Sequence, residues 1–239
     1  MEDGLSANGD DESDESSGYN NTLTETGGDI PNSADKMFGT YSRDFERGDS
    51  EYLTHADGLS TDISGVNQEF SIMCWVKFES LTNAQYVISK YTTSNFQYAL
   101  VMEADKIGDP WACRISGDGS SNQNAVPATG GTTAAWQHVA MVYNDTDIRI
   151  YIDGSLDSNG ASNPLAYTGG IFDGTHEFRV GDRNAGGSSI NYKFDGLMDD
   201  VGIFDRALTS VEVSDINTNG LVGSGEPPAV DNSQVIMIM

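Results

Sequence analysis

The chain has 239 residues, 37% of them hydrophobic, and carries 37 acidic against 12 basic side chains for a formal charge of −25. So few cations leave little with which to displace counterions from a phosphate backbone, which excludes nucleic acid as a natural partner. No apolar run approaches the roughly 18 residues of a membrane-spanning helix.

Residues 1–35 hold ten acidic side chains and no Lys or Arg, interleaved with Ser, Gly and Asn. Such a stretch cannot offset its ordering entropy by burial, so residues 1–40 are expected to form a flexible acidic tail, either a solvated leader or a docking arm. The N-terminus has neither the basic nor the apolar region of a secretory signal. An extracellular or virion-surface location is expected, reached by another export route or as a piece of a longer polyprotein.

Residues 41–220 read as one all-β domain. Between Glu69 and Phe78, the side chains of Phe70, Ile72, Cys74, Val76 and Phe78 recur at period two and give a strand one apolar face. Similar runs follow at 86–90, 96–103, 111–116, 136–143, 148–153, 176–180 and 193–204. Eight or more such strands predict two antiparallel sheets packed as a sandwich. Cys74 and Cys113 both fall in these apolar runs. There a thiol behaves as a small hydrophobe, although a bridge between them is an open alternative.

Asp153-Gly154 suits a tight hairpin turn, and Asn144-Asp145 marks the hairpin before it. Longer Gly, Ser, Asn and Thr segments at 117–133, 159–174 and 184–191 are candidate binding loops. Thr209 and Glu212 have the capping-box spacing, which predicts one short helix over 210–217. Residues 221–239 follow as a proline-containing linker and a terminal apolar run. Val235, Ile236, Met237 and Ile238 in that run form either a strand donated to a neighbouring subunit or the start of a further domain.

Three stretches carry a resemblance. Phe70-Ser71-Ile72-Met73-Cys74-Trp75-Val76-Lys77 is similar to the F-T-I-x-x-W-V-K strand of the laminin-G-like family, within the concanavalin A-like lectin/glucanase superfamily. Trp136 to Tyr143, with Ile150-Tyr151-Ile152-Asp153-Gly154, resembles its W-x-H-V-A-x-x-Y and I-Y-V-D-G strands. Phe194 to Thr209 resembles the closing signature F-x-G-x-I-D-E-V-x-I-Y-N-R-A-L-S, with Asp200 in place of the usual Glu. The segment from Phe45 to Leu53 matches the family's first strand more loosely, with one apparent insertion. The resemblance implies a jelly-roll sandwich of two curved antiparallel sheets. It also implies a place among domains that mostly serve carbohydrate binding or adhesion.

Glycosidases need two carboxylates about 5 to 9 Å apart. The catalytic branch of the superfamily supplies them from an E-x-D-x-x-E strand, which this sequence lacks. Glu69, Glu103 and Glu177 are isolated, and His55, His138 and His176 form no metal-ligand spacing. His138 reads as structural, as do Trp75 and Trp136, and no enzymatic activity is expected.

Calcium is the expected cofactor, because it takes oxygen ligands from acidic loops. The resemblance points to Asp199 as a ligand, together with a carbonyl or Glu46 from the first strand, unless Asp199 caps backbone amides instead. Asp182-Arg183-Asn184 and the loop from Asp118 to Asn122 are alternatives. For a ligand, Trp111, Asp118, Asn122, Tyr167, Arg183 and Asn184 supply aromatic, amide, carboxylate and guanidinium groups in or beside the loops. The expected function is a non-enzymatic recognition or adhesion module for glycan or surface ligands. The alternative is a structural subunit of a virion or filament that self-associates through its termini.

Overall fold

The computed structural model describes residues 12–13, 22–58, 63–133, 135–158, 162–184, 190–221 and 235–238. The strands in chain order begin with β1 (Glu12–Ser13), β2 (Thr22–Thr26), β3 (Asn32–Ser33), β4 (Ser42–Phe45), β5 (Tyr52–His55) and β6 (Phe70–Phe78). β7 (Gln85–Thr92), β8 (Asn95–Met102), β9 (Trp111–Ile115), β10 (Gln123–Ala125), β11 (Gln137–Tyr143) and β12 (Asp147–Ile152) come next. The last are β13 (Ser155–Leu156), β14 (Leu165–Ala166), β15 (Phe178–Val180), β16 (Gly196–Phe204) and β17 (Val235–Ile238); among the described residues one α-helix, α1 (Ser210–Asn219), precedes β17, and short 3-10 turns lie at Arg47–Asp49 and Ile190–Tyr192.

They form two antiparallel sheets, as the apolar periodicity predicts. One has eight strands in the order β1-β2-β5-β15-β7-β8-β9-β10. The other runs β13-β12-β11-β6-β16-β4-β3, with β14 on β12 and β17 on β16. Phe70, Ile72, Cys74, Val76 and Phe78 of β6 all enter the core between the sheets. Tyr98, Leu100 and Met102 of β8 and Trp111, Cys113 and Ile115 of β9 meet them from the opposite sheet. Cys74 and Cys113 are free and fully buried, and burial pushes both thiols well above their ordinary range.

A second apolar layer lies outside the nine-stranded sheet. Leu208, Val213, Ile216 and Leu221, from α1 and its flanks, pack on Met73, Ala140, Val142, Tyr151 and Phe204. Thr209 caps the helix: its hydroxyl accepts the Glu212 amide at 3.2 Å, while the Glu212 carboxylate accepts the Thr209 amide at 2.7 Å.

Two expectations at the chain ends change. The segment expected as a tail contributes β2, which pairs with β5, and β3, which pairs with β4. Leu23 and Ile30 anchor it by burial, and Glu25 ion-pairs with Arg43, whose side chain is fully enclosed. A buried guanidinium needs a carboxylate, and the acidic segment provides one. The rest of that tail, at 1–11 and 14–21, lies outside the described residues, as does the linker at 222–234. At the other end, β17 pairs antiparallel with β16 of its own chain, alongside the part of β16 beyond its contacts with β4.

Candidate functional site

The outer face of the eight-stranded sheet carries a concentration of aromatic and cationic side chains. Because Tyr98, Leu100, Trp111 and Cys113 face the core, Ala99, Val101, Ala112 and Arg114 must face outward. Tyr86 lies on the floor these residues make, with Phe96, Tyr91 and Tyr192 around it. Tyr86 and Tyr91 are an odd number of residues apart and would leave a regular strand on opposite faces. The pairing of β7 with β8 shifts register between Tyr86 and Ile88 and again between Lys90 and Tyr91. These irregularities let both rings join one cluster, their centroids 5.5 Å apart.

Arg183, just after β15, is packed into that cluster. Its guanidinium carbon lies 3.5 Å from the Tyr192 ring centroid, 4.9 Å from that of Tyr86 and 5.2 Å from that of Tyr91. Its Nη1 donates to the Tyr86 hydroxyl at 3.1 Å, and Arg114 donates to the same oxygen at 2.8 Å. Burial pushes the Tyr86 phenol above its ordinary pKa, against the pull of both guanidiniums.

Next to this cluster, Arg179 and Lys193 both sit 4.3 Å from the centroid of the Tyr52 ring. Carboxylates hold most of these cations: Glu103 pairs with Arg114, Glu177 with Arg179, and Asp182 with both Arg179 and Lys193. The Asn184 amide donates to Glu177 at 3.4 Å. The face therefore sets the partly exposed rings of Tyr91 and Tyr192, over a buried floor of Tyr86 and Phe96, beside amide and guanidinium donors and carboxylate acceptors.

A second group lies beside the junction of β4 and β16, where Phe45 pairs with Gly196. Carboxylate oxygens of Asp44, Glu46 and Glu79 all come within 4.8 Å of one another. Burial, then mutual repulsion, raises the pKa of each: Glu46 acts on Asp44, Asp44 and Asp195 act on Glu79, and Glu79, Asp195 and Asp49 act on Glu46. Asp44 Oδ1 is enclosed and has no hydrogen-bond partner among the described residues. Three carboxylates with hard oxygens, one of them wanting a partner, fit a divalent cation such as Ca²⁺.

The residues expected at the site fall in different places. Trp111 is a correction: it is fully buried between the sheets, and its indole donates to Gln137 Oε1 at 2.9 Å, so it offers no ligand surface. Asp118 and Asn122 are exposed, but the Asp118 carboxylate accepts the amides of Ser120 at 2.9 Å and Ser121 at 2.7 Å. Those bonds hold its carboxyl well below the usual range. Asp118 thus shapes its own loop. Tyr167 packs at a tilt against Tyr143, the ring centroids 5.6 Å apart, and donates to the Gly170 carbonyl at 2.8 Å. Arg183 and Asn184 alone of the six belong to the tyrosine face.

The expected metal pair is also divided. Asp199 accepts the amides of Met37 at 2.7 Å and Phe38 at 2.9 Å, so it pins the N-terminal segment to the sheet. Glu46 follows Phe45, opposite the Gly196 end of β16, roughly 13 Å along the strand from Asp199. Asp200, next to Asp199, adopts φ 50° where the β16 ladder breaks, and accepts the Leu221 amide at 2.8 Å. The two acids of the closing signature each fasten a terminal segment. Sequence reading missed Asp44 and Glu79 because nothing local joins them. It missed Tyr86, Tyr91 and Tyr192 because only the β7 irregularities and a distant loop bring them together.

Among the described residues no helix is long and apolar enough to cross a membrane. Domain 4 of AbnA, a GH43 extracellular arabinanase from Geobacillus stearothermophilus solved in complex with arabinotriose, is similar to this chain. It is 21% identical, with a TM-score of 0.62 over 86% of this chain and 92% of that one. A heptameric SAP-like pentraxin from Limulus polyphemus is 18% identical, with a TM-score of 0.52 over 75% of this chain and 86% of that one. The binding domain of botulinum neurotoxin serotype G is 16% identical, with a TM-score of 0.61 over 85% of this chain and 47% of that one. At these identities the likeness establishes the fold. No curated protein matches the sequence. The laminin-G family model, described as the concanavalin A-like lectin/glucanases superfamily, matches residues 47–214, and with its motifs and its two-sheet sandwich the chain belongs to that family.

Proposed function

We propose that this protein is a non-enzymatic glycan-recognition module that works outside the cell and takes its ligand on the outer face of the eight-stranded sheet. The observation that carries the reading is the cluster of Tyr86, Tyr91 and Tyr192 around Arg183, with Arg114, Arg179, Glu177 and Asn184 beside it. Saccharides present apolar C–H faces that stack on aromatic rings, and hydroxyls that pair with guanidinium, amide and carboxylate groups. The arabinotriose complex of the AbnA domain supports a saccharide as the ligand class for this fold. The acids on the face, Glu103 and Glu177, are tied up by arginines, which favours binding over acid–base chemistry.

The Asp44, Glu46 and Glu79 group is the proposed calcium site, with Glu46 retained from the expected pair and Asp199 replaced. There Ca²⁺ would neutralise three crowded carboxylates and fix the segment between β4 and β5. The virion or filament alternative has less support, because the expected assembly strand, Val235–Ile238, is paired within its own chain.

A glycan array probed with and without chelator tests this reading, together with a Tyr192→Ala variant. We expect a defined set of glycans to bind, and Tyr192→Ala to weaken them by roughly tenfold or more, as loss of a stacking platform does. An array blank in both conditions overturns the proposal.

A further inference from the structure

The chemistry around Arg183 narrows the ligand class. Every other arginine among the described residues has a carboxylate partner: Arg43 with Glu25, Arg47 with Asp195, Arg114 with Glu103, Arg149 with Asp147, Arg179 with Glu177 and Asp182, and Arg206 with Glu212. Arg183 has none among those residues. In a chain with 37 acidic and 12 basic side chains, a guanidinium with no counter-charge among the described residues runs against the composition. The sequence that follows it, from Asn184 to Ile190, contains only Ala, Gly and Ser between those ends and supplies no acid.

What surrounds Arg183 fixes its orientation without neutralising it. Three tyrosine rings lie about the guanidinium, with Tyr192 closest at 3.5 Å. One in-plane bond, from Nη1, goes to the Tyr86 hydroxyl, and the Nε–H is enclosed with no partner among the described residues. Ring stacking and the enclosed Nε leave the Nη edge of the guanidinium, in its plane, as the direction in which further bonds can form, and that pair of N–H groups matches a carboxylate. Tyr86 in turn is held by Arg114, which is paired with Glu103, so the platform is tied down from below.

We infer that the sheet face takes an acidic saccharide, a uronate-type glycan whose carboxylate pairs with Arg183 while its ring stacks on Tyr192 and Tyr91. The inference rests on the glycan-binding reading above and adds the charge of the ligand to it. It also gives the net acidity of the chain a role. A protein of charge −25 repels polyanions at a distance, so an acidic glycan engages only where a cation is left uncompensated.

Calorimetric titration of the full chain tests this with three probes: an oligogalacturonate, the same oligosaccharide with its carboxyl groups reduced to alcohols, and a sulfated neutral oligosaccharide. The wild type should bind the oligogalacturonate about tenfold or more tightly than the reduced form, with the preference shrinking as salt rises. Arg183→Gln should erase that preference by weakening the oligogalacturonate about tenfold more than the reduced form, and Arg183→Lys, which keeps the charge without the fork, should fall between. Melting curves of both variants confirm folding, and the Lys variant carries the test if the Gln variant does not fold.

Equal affinity of the wild type for the uronate and its reduced form overturns the inference and leaves the glycan reading standing. So does an Arg183→Gln variant that weakens both forms alike, since that is the mark of a structural arginine. Tight binding of the sulfated probe alone replaces carboxylate by sulfate and overturns the assignment. Failure of all three probes, with a blank glycan array, brings down both proposals.

Discussion

His138 illustrates how one side chain sets a property of the whole. It stands opposite Trp75 in the β6–β11 pair, the rings 5.3 Å apart, and both of its ring nitrogens are enclosed with no partner among the described residues. Burial lowers its pKa from 6.5 to about 3, so it is neutral in the fold. The unfolded chain takes up a proton near the ordinary value and the folded chain does not. The stability tied to His138 is therefore complete above pH 6.5 and is lost as pH falls toward 3. A shift of that size sets a ceiling of about 5 kcal/mol on the effect. Replacing the ring by an apolar side chain, His138→Leu, should flatten the dependence. Urea midpoints measured at pH 7.5 and 4.5 should differ less in the variant than in the wild type, and equal differences would move the acid sensitivity to other groups.

Among the elements, α1 is the part whose sequence logic is most local. Thr209→Ala removes the capping hydroxyl and should lower stability by about 1 kcal/mol. Glu212→Ala should have the larger effect, because Glu212 also takes two bonds from Arg206, at 2.7 and 3.1 Å. Chemical denaturation that ranks the two in the opposite order would refute this account of the helix start. Such elements are legible because their signals lie within a few residues: the capping box in α1, the period-two face of β6, and the Asp153-Gly154 turn, whose φ values are 49° and 75°. β2 is not legible in this way. Its only apolar anchor is Leu23, and Glu25 acquires its meaning from Arg43, 18 residues away. The same holds for Trp111. It lies in a strand whose inward face is fixed by partners far along the chain, so a candidate for the rim becomes a core residue. Of the proposed binding residues, Arg183 and Asn184 are visible in the sequence as polar residues in a loop, but the tyrosines that give Arg183 its setting depend on the shifted register of β7.

At the scale of the molecule, the excess of acid is unevenly used. Many carboxylates answer a cation or a backbone amide, whereas Asp44, Glu46 and Glu79 crowd against one another with Asp195 nearby. Raised carboxyl pKa values mean that the fold prefers this group protonated. Its favourable contribution is present below the ordinary carboxylate range and is lost as pH rises and the group ionises. That direction is opposite to the His138 effect, and a bound Ca²⁺ would offset the repulsion where the group is ionised. Excess Ca²⁺ should therefore raise the melting temperature at pH 7.5 relative to chelator, by a few degrees if it is about a hundredfold above its dissociation constant, and should do little at pH 4. Glu79→Gln should melt higher than the wild type in chelator, because one repulsive charge is gone, and should respond less to Ca²⁺. Mg²⁺ at matched ionic strength controls for general screening, since it favours a tighter octahedral shell than three side chains on separate elements provide. If Ca²⁺, Mg²⁺ and chelator give the same melting curve at pH 7.5, the acid group is a site of tolerated repulsion and the calcium assignment falls.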